Sequence, residues 1–322
     1  MASMLERLPD ELILEIFRHL RPARLLVHAS YRPEHEIYSA GISRDTSVAT
    51  FASLCLTTKH LGLLATPELY GNLIESEASR ELHYMPLPGQ VSRSGHYLRQ
   101  FFEFCEAIVR RPSLGQHLRY VNHSVNTVVE PEPCRTYALD ERWSSHRKAM
   151  KRLASRIWGA TQLQVWTELF VLRPEQAQFV LLLALAPNVT HIVTDIYANA
   201  LSTILSLLGL DNSPCEKQRS RIHEFSRLER IIITMGLEWS SFSEVAPVRH
   251  FIPQIASLRH FQQNFAHLPA TRDSVLRPHI VMTKLETLIL HDCTKDLELV
   301  AATVGSCLNL KSFILSQTDE LG

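Results

Sequence analysis

The chain has 322 residues, enough for one large domain or for a small module followed by a larger one. Hydrophobic residues make up 45% of it and charged residues 20%, which excludes a wholly disordered chain. Lysine plus arginine and aspartate plus glutamate each total 33, so the chain lacks the bulk positive charge on which many nucleic-acid-binding proteins depend.

No two cysteines form a CxxC pair, and their wide spacing favours reduced thiols over a zinc knuckle or a disulfide framework. The six are Cys55, Cys105, Cys134, Cys215, Cys293 and Cys307. The N-terminal residues are too acidic for a signal peptide, and the longest apolar run, 179–187, is shorter than the roughly 20 residues of a membrane-spanning helix. We therefore expect a protein of the cytoplasm, the nucleus or both, with no membrane partner.

An amphipathic helix is predicted over residues 8–20. Pro9 suits the first turn, where its missing N–H has no partner, and Asp10 and Glu11 face the positive end of the helix dipole. Apolar side chains recur at the spacing of one helical face, at Leu8, Leu12, Ile13, Ile16, Phe17 and Leu20. A small bundle has too little chain to bury all of them, so we expect Leu8, Pro9, Ile13, Ile16 and Phe17 to be exposed.

A second helix is predicted to begin near Val48 and to end near Ala65, because Thr66 precedes a proline. Its buried side is expected to carry Val48, Phe51, Leu54, Cys55, Leu61 and Leu64. Residues 75–96 are polar and contain prolines and glycines, which predicts a linker between two domains.

From residue 97 onward, short strands are predicted to alternate with helices. The best strand pattern is Leu285, Leu288, Leu290 and Cys293, which fits L-x-x-L-x-L-x-x-C; related patterns begin at Leu118, Val189, Leu228, Leu258 and Leu310. Crossovers long enough for a helix make parallel pairing the available geometry, so we expect strands at about 189–194, 228–234, 285–291 and 310–315 in one parallel sheet.

Helices are predicted over residues 98–111, 137–158 and 175–186. The basic side chains between Arg142 and Arg156 indicate a solvated amphipathic helix, the alternative being a contact with phosphate or with an acidic substrate. After the last strand, the sequence shows no polar capping repeat. We expect either an exposed apolar end there or a chain that belongs to a longer parent.

The N-terminal patterns resemble the two halves of an F-box, in the form found in filamentous-fungal F-box proteins. Leu8-Pro9-x-Glu11-Leu12 through Leu20 resembles the opening, and Phe51 through Leu61, continuing to Leu64-Ala65-Thr66-Pro67-Glu68-Leu69-Tyr70, resembles the second half. The later region resembles degenerate leucine-rich repeats. An F-box runs almost directly from its first helix into its second, whereas residues 21–45 intervene here. Either Leu25 and Leu26 begin the second helix and a loop interrupts it, or the whole segment loops out.

The resemblance implies a substrate receptor of an SCF-type cullin–RING ubiquitin ligase. A Skp-type adaptor would bind the F-box, and a protein substrate would bind the repeats. The implied adaptor-binding residues are Leu8, Pro9, Leu12, Ile13, Ile16, Phe17, Leu20, Leu54 and Leu61. The expected fold class is α + α/β. An F-box-like helical bundle (1–74, with an insertion at about 21–45) and a linker (75–96) precede an irregular leucine-rich-repeat-like solenoid with a parallel sheet (97–322).

Two functions stay open at this point: the ligase receptor, and a non-enzymatic repeat scaffold whose F-box-like helices mediate another protein interaction. The sequence contains no G-x-S-x-G, G-x-x-x-x-G-K-[ST], G-x-G-x-x-G or H-E-x-x-H motif. The run His291-Asp292-Cys293 cannot form a relay on a strand, because adjacent side chains point to opposite faces. We therefore expect no enzymatic activity, no cofactor, no metal and no nucleic-acid partner, with an unrecognised hydrolase as the remote third possibility.

Overall fold

The computed structural model of the chain describes residues 5–20, 44–74, 94–124, 141–195, 203–204, 206–209, 222, 225–234, 255–264, 284–291, 301 and 304–316. The chain forms two compact units, Met1–Asn72 (unit 1) and Leu73–Gly322 (unit 2). Most of the predicted insertion at 21–45 and of the predicted linker at 75–96 lies outside the described residues. The ends of both segments, from Arg44 and from Ser94 onward, are already helical.

Unit 1 contains a 3-10 turn, Leu5–Arg7, followed by the helices α1 (Asp10–Leu20), α2 (Arg44–Thr57) and α3 (Lys59–Gly71). The first helix begins directly after Pro9, whose carbonyl accepts the N–H groups of Leu12 at 3.0 Å and Ile13 at 3.1 Å. Its other end is tied to α2, because the buried hydroxyl of Ser47 donates to the carbonyl of Leu20 over 2.6 Å. These bonds fix both ends of α1.

The three helices share one apolar core, formed by Ile13, Phe17, Phe51, Leu61 and Ala65. The rings of Phe17 on α1 and Phe51 on α2 meet edge to face, with 5.4 Å between their centroids. Leu61 and Ala65 contribute from α3. Each helix therefore presents one side to the same core.

The single helix predicted from Val48 to Ala65 is wrong, because the chain forms two helices that meet at Thr58. The Thr58 hydroxyl accepts the N–H of Leu61 at 3.3 Å, and this bond caps the start of α3. That helix then continues through Pro67 to its end at Gly71. The N–H that Pro67 lacks would have paired with the carbonyl of Leu63, a residue on the exposed side of the helix.

Unit 2 begins its helical part with α4 (Ser94–Arg110) and a 3-10 turn, Pro112–His117, followed by α5 (Glu141–Ile157), α6 (Ala160–Leu172) and α7 (Pro174–Ala184). Three of these helices were predicted, and α6 was not.

The indoles of Trp158 and Trp166 stack with 5.7 Å between their centroids, and their N–H groups donate to the carbonyls of Leu207 and Ala177 at 2.8 and 3.0 Å. Both tryptophans are thus satisfied core residues.

Seven strands form one sheet and follow one another across it in chain order. They are β1 (Asn72–Ile74), β2 (Tyr120–Ser124), β3 (His191–Asp195), β4 (Arg230–Thr234), β5 (His260–Asn264), β6 (Thr287–His291) and β7 (Ser312–Ser316). Strands β2 to β7 pair in parallel. The predicted parallel sheet is confirmed, and the two strands near residues 285 and 310 are neighbours.

One register position carries an apolar side chain in every strand from β2 to β7. Its members are Val121, Ile192, Ile231, Phe261, Leu288 and Phe313. The first five are buried, whereas Phe313 on the last strand is 38% exposed. The apolar row is therefore continuous across the sheet and becomes accessible at β7.

A four-residue turn precedes each of four strands. It is closed by a hydrogen bond from the N–H of its last residue to the carbonyl of its first, as between Leu228 and Phe225 at 2.9 Å. The four turns span Gly115–Leu118, Ala186–Val189, Phe225–Leu228 and Ile255–Leu258, and all eight of these end residues are buried. Position 115 requires glycine, since a Cβ there would overlap the carbonyl oxygen of Leu185.

Each strand start from β3 to β7 is bonded to the one before it by a shared carbonyl. The carbonyl of Thr190 accepts the N–H groups of both Glu229 and Arg230, at 2.9 and 3.1 Å. The carbonyls of Arg119, Glu229, Arg259 and Glu286 accept two N–H groups from the next strand start in the same way. These repeated hydrogen bonds fix the register between neighbouring strands.

The predicted strand starts are two residues too early. In the patterns that begin at Leu118, Val189, Leu228 and Leu258, this first apolar residue closes the turn and is not part of the strand. Two further strands, β2 and β5, follow the weaker patterns that begin at Leu118 and Leu258.

We expect Leu288→Asp to unfold unit 2. Leu288 is 1% exposed between Phe261 and Phe313, so the substitution places an unpaired charge in the core at a cost of several kcal/mol. Thermal unfolding monitored by circular dichroism measures the effect. Leu308→Asp is the matched control, because Leu308 is 67% exposed and should tolerate the same change. Equal melting temperatures for the two variants would contradict the placement of Leu288 in the core.

Candidate functional site

The structure separates the nine predicted adaptor-binding residues by burial. Pro9, Leu12 and Ile16 are exposed; Leu8, Leu20 and Leu54 are half-buried; Ile13, Phe17 and Leu61 are buried. The expected exposure of Ile13 and Phe17 is therefore wrong, because both side chains lie in the core of unit 1. We call the exposed set, Pro9, Leu12 and Ile16, the α1 surface.

The width of the apolar stripe explains this division. Successive helical residues are rotated by about 100°, so positions 8 to 20 place apolar groups over roughly half of the circumference of α1. The core of unit 1 takes only the half that carries Ile13 and Phe17. Leu12 and Ile16 stay 52% and 39% exposed.

Charged groups border the α1 surface. Glu15 and Arg18 form an ion pair on the same helix, and Asp10 lies 3.1 Å from the imidazole of His60 on α3. An exposed apolar centre with a polar border is the arrangement typical of a protein–protein interface. The α1 surface is therefore the candidate interaction site of unit 1.

A second candidate site lies in unit 2, at the first position of the strands. The register aligns Tyr120, His191, Arg230, His260, Thr287 and Ser312 side by side, one from each strand from β2 to β7. Side chains at aligned positions share one face of a sheet. We call these six residues the strand-start row.

The strand-start row is basic and aromatic at its β2 to β5 end. The rings of Tyr120 and His191 lie 5.9 Å apart, and Arg230 is placed between His191 and His260. Burial, and then the positive charges of Arg230 and His191, lower the pKa of His260 to about 4. The imidazole of His260 is thus neutral at neutral pH.

The row one residue earlier differs, because its charges alternate and pair with one another. It consists of Arg119, Thr190, Glu229, Arg259, Glu286 and Lys311. Glu286 lies 3.0 Å from the ammonium of Lys311 and 3.9 Å from the guanidinium of Arg259. Arg119 instead donates to the carbonyls of Gln116 and Asn188, at 2.8 and 3.3 Å. This earlier row is largely self-neutralised.

The described part of the chain brings together no group of three or more His, Cys, Asp or Glu side chains that could hold a metal ion. Asp292 and Cys293 lie outside it, so the expectation for the run that begins at His291 stays a prediction. None of the described helices is long and apolar enough to span a membrane.

Comparison with known proteins gives no match: no family model, no curated protein and no solved structure is similar to this chain.

The strand-start row was not identified from the sequence, although a signal for it is present. Tyr120, His191, Arg230 and His260 each follow the first apolar residue of a strand pattern by two positions. Aligning the patterns by that residue would have placed the four side chains in one column. The apolar positions of each pattern predict the strands, and the polar positions between them indicate which polar side chains are aligned across the sheet.

We expect His260 to make the stability of unit 2 depend on pH between about 6.5 and 4. The folded-state pKa is lower than that of the unfolded chain, so the unfolded chain binds the proton more readily in this window. The free energy of unfolding therefore falls as the pH falls from 6.5 towards 4.

Melting temperatures of the wild type and of His260→Gln, measured from pH 7 to pH 4, test this expectation. The variant should lose less stability than the wild type over that range. His19→Gln is the matched control, because it removes an 81% exposed imidazole from unit 1 and leaves the sheet of unit 2 intact. Parallel profiles for the wild type and His260→Gln would contradict the expectation.

Proposed function

We propose that this chain is a substrate receptor of an SCF-type cullin–RING ubiquitin ligase. Unit 1 would act as the F-box and bind a Skp-type adaptor, and the repeats of unit 2 would bind a protein substrate. The proposal gives the chain a binding role without a catalytic step and places its activity in the cytoplasm or the nucleus. The architecture that we propose with this role is an F-box-like bundle followed by an irregular leucine-rich-repeat-like solenoid.

The observation that carries the proposal is the exposed apolar half of α1. Leu12 and Ile16 are exposed, although Ile13 and Phe17 of the same helix are completely buried. A helix that presents apolar side chains on both halves is stabilised further when a partner covers the outer half. The Leu8-Pro9 start and the Thr66-Pro67-Glu68-Leu69-Tyr70 run, both of which resemble an F-box, indicate a Skp-type adaptor as that partner.

The arrangement of unit 2 supports a receptor role. Strands that follow one another in chain order form an extended surface on which each strand presents one side chain per row. Such a surface can contact several residues of a bound protein at once. This geometry agrees with the leucine-rich-repeat-like pattern of the sequence.

The α1 surface should carry adaptor binding. We expect Leu12→Asp combined with Ile16→Asp to abolish capture of a purified Skp-type adaptor, because each apolar anchor at an interface contributes about 2 kcal/mol or more. Leu8→Ala combined with Pro9→Ala should also weaken capture. Binding of the purified full-length chain to the adaptor, measured by biolayer interferometry, gives the affinities.

Two control variants make the result specific. Leu172→Asp changes a side chain of unit 2 that is 79% exposed and should leave adaptor affinity unchanged. Ile13→Ala removes a core side chain and should lower the melting temperature of unit 1 by a mechanism independent of the adaptor. Full capture of the adaptor by the Leu12/Ile16 variant would contradict the assignment of the α1 surface as the adaptor-binding site. No capture by the wild type would favour the alternative, a non-enzymatic scaffold whose helices bind another protein.

A further inference from the structure

None of the ion pairs seen among the described residues neutralises the positive charge of Arg230 in the strand-start row. Ion pairs among the described residues include those of Glu15, Asp10, Glu106 and Glu286, and none of these contains Arg227 or Arg230. The contrast with the preceding row is clear, since that row contains acidic and basic residues in alternation. The strand-start row contains a tyrosine, two histidines, an arginine, a threonine and a serine, but no acid.

The register gives this row the geometry of a binding site. Neighbouring strands lie about 4.8 Å apart, so His191, Arg230 and His260 span roughly 10 Å. All three side chains are half-buried, which restricts their motion and still leaves them accessible. A single carboxylate is shorter than this span, whereas a short run of acidic residues matches it.

The electrostatics of the row favour an anion. The pKa of His260 is low because of burial and because Arg230 and His191 repel a further positive charge at that position. A second such repulsion acts nearby, where burial and the charge of Arg227 lower the pKa of Arg119. A bound carboxylate would relieve this repulsion and would accept charge-assisted hydrogen bonds.

We propose that the strand-start row binds an acidic segment of a protein ligand, with Asp or Glu carboxylates that accept hydrogen bonds from Arg230 and from the imidazoles of His191 and His260. This inference deepens the proposed function, because it names the charge of the substrate that unit 2 would bind. Arg230 supplies the permanent positive charge at the centre of the row. Tyr120, whose ring contacts that of His191, supplies an aromatic surface at one end.

Fluorescence anisotropy with a fluorescein-labelled hexaglutamate peptide and the purified full-length chain tests the proposal. We expect Arg230→Gln to weaken binding by about tenfold or more, since it removes the central charged hydrogen-bond donor. Arg259→Gln is the matched control. It removes the same charge one strand away, from a side chain that lies 3.9 Å from Glu286, and should change affinity by less than about twofold. Arg230→Lys, which keeps the charge, should retain part of the affinity.

Other outcomes would overturn the proposal. Equal losses for Arg230→Gln and Arg259→Gln would show that only the overall charge matters. Equal binding of a hexalysine peptide would exclude charge recognition, and tighter binding of a phosphoserine peptide than of its glutamate counterpart would exclude carboxylates as the preferred ligand. Binding to anionic lipid vesicles without binding to the peptide would show that the row binds a membrane and not a protein.

Two further measurements keep the result interpretable. The melting temperature of Arg230→Gln shows whether the variant is folded, and Arg230→Lys replaces it if it is not. Adaptor capture is measured on the same preparations, where both arginine variants should match the wild type. Loss of peptide binding by the Leu12/Ile16 variant is not expected, so failure of the adaptor proposal and failure of this one are separate results.

Discussion

The alignment of the strand starts is the constraint on which the rest of unit 2 depends. A buried apolar residue closes the turn before the strand, and the strand begins two residues later, as with Leu228 and Arg230. A carbonyl just before one strand accepts two N–H groups at the start of the next strand, and this fixes the register between the two strands. Because the side-chain period of a strand is two, this one alignment decides which residues are buried and which form the strand-start row.

Much of this sheet could be predicted from the sequence, because its apolar positions recur at a fixed spacing. Leu288 and Phe313 were expected on neighbouring parallel strands and are found there. The turn was not predicted, since the pattern was aligned on its first apolar residue without the buried residue three positions earlier. The break at Thr58 was missed for a different reason: the apolar pattern continues through it, and only a local side-chain hydrogen bond divides α2 from α3.

The adaptor-binding residues show where periodicity stops being informative. A helical pattern distinguishes apolar from polar positions, but it does not indicate which part of a wide apolar stripe the neighbouring helices will cover. Ile13 and Leu12 are adjacent in the sequence and equally apolar, yet one is completely buried and the other is 52% exposed. The difference comes from the positions of Phe51 and Leu61, which belong to other helices.

The shared carbonyls have a consequence for how this chain can change over evolutionary time. They connect residues immediately next to each strand, so the register between neighbouring strands does not depend on how many residues precede the turn. The crossover between Leu118 and Val189 is accordingly much longer than the one between Leu285 and Leu310. Insertions and deletions between the strands should therefore accumulate while the strand-start row stays in register, and homologous chains should differ in length far more than in the alignment of these positions.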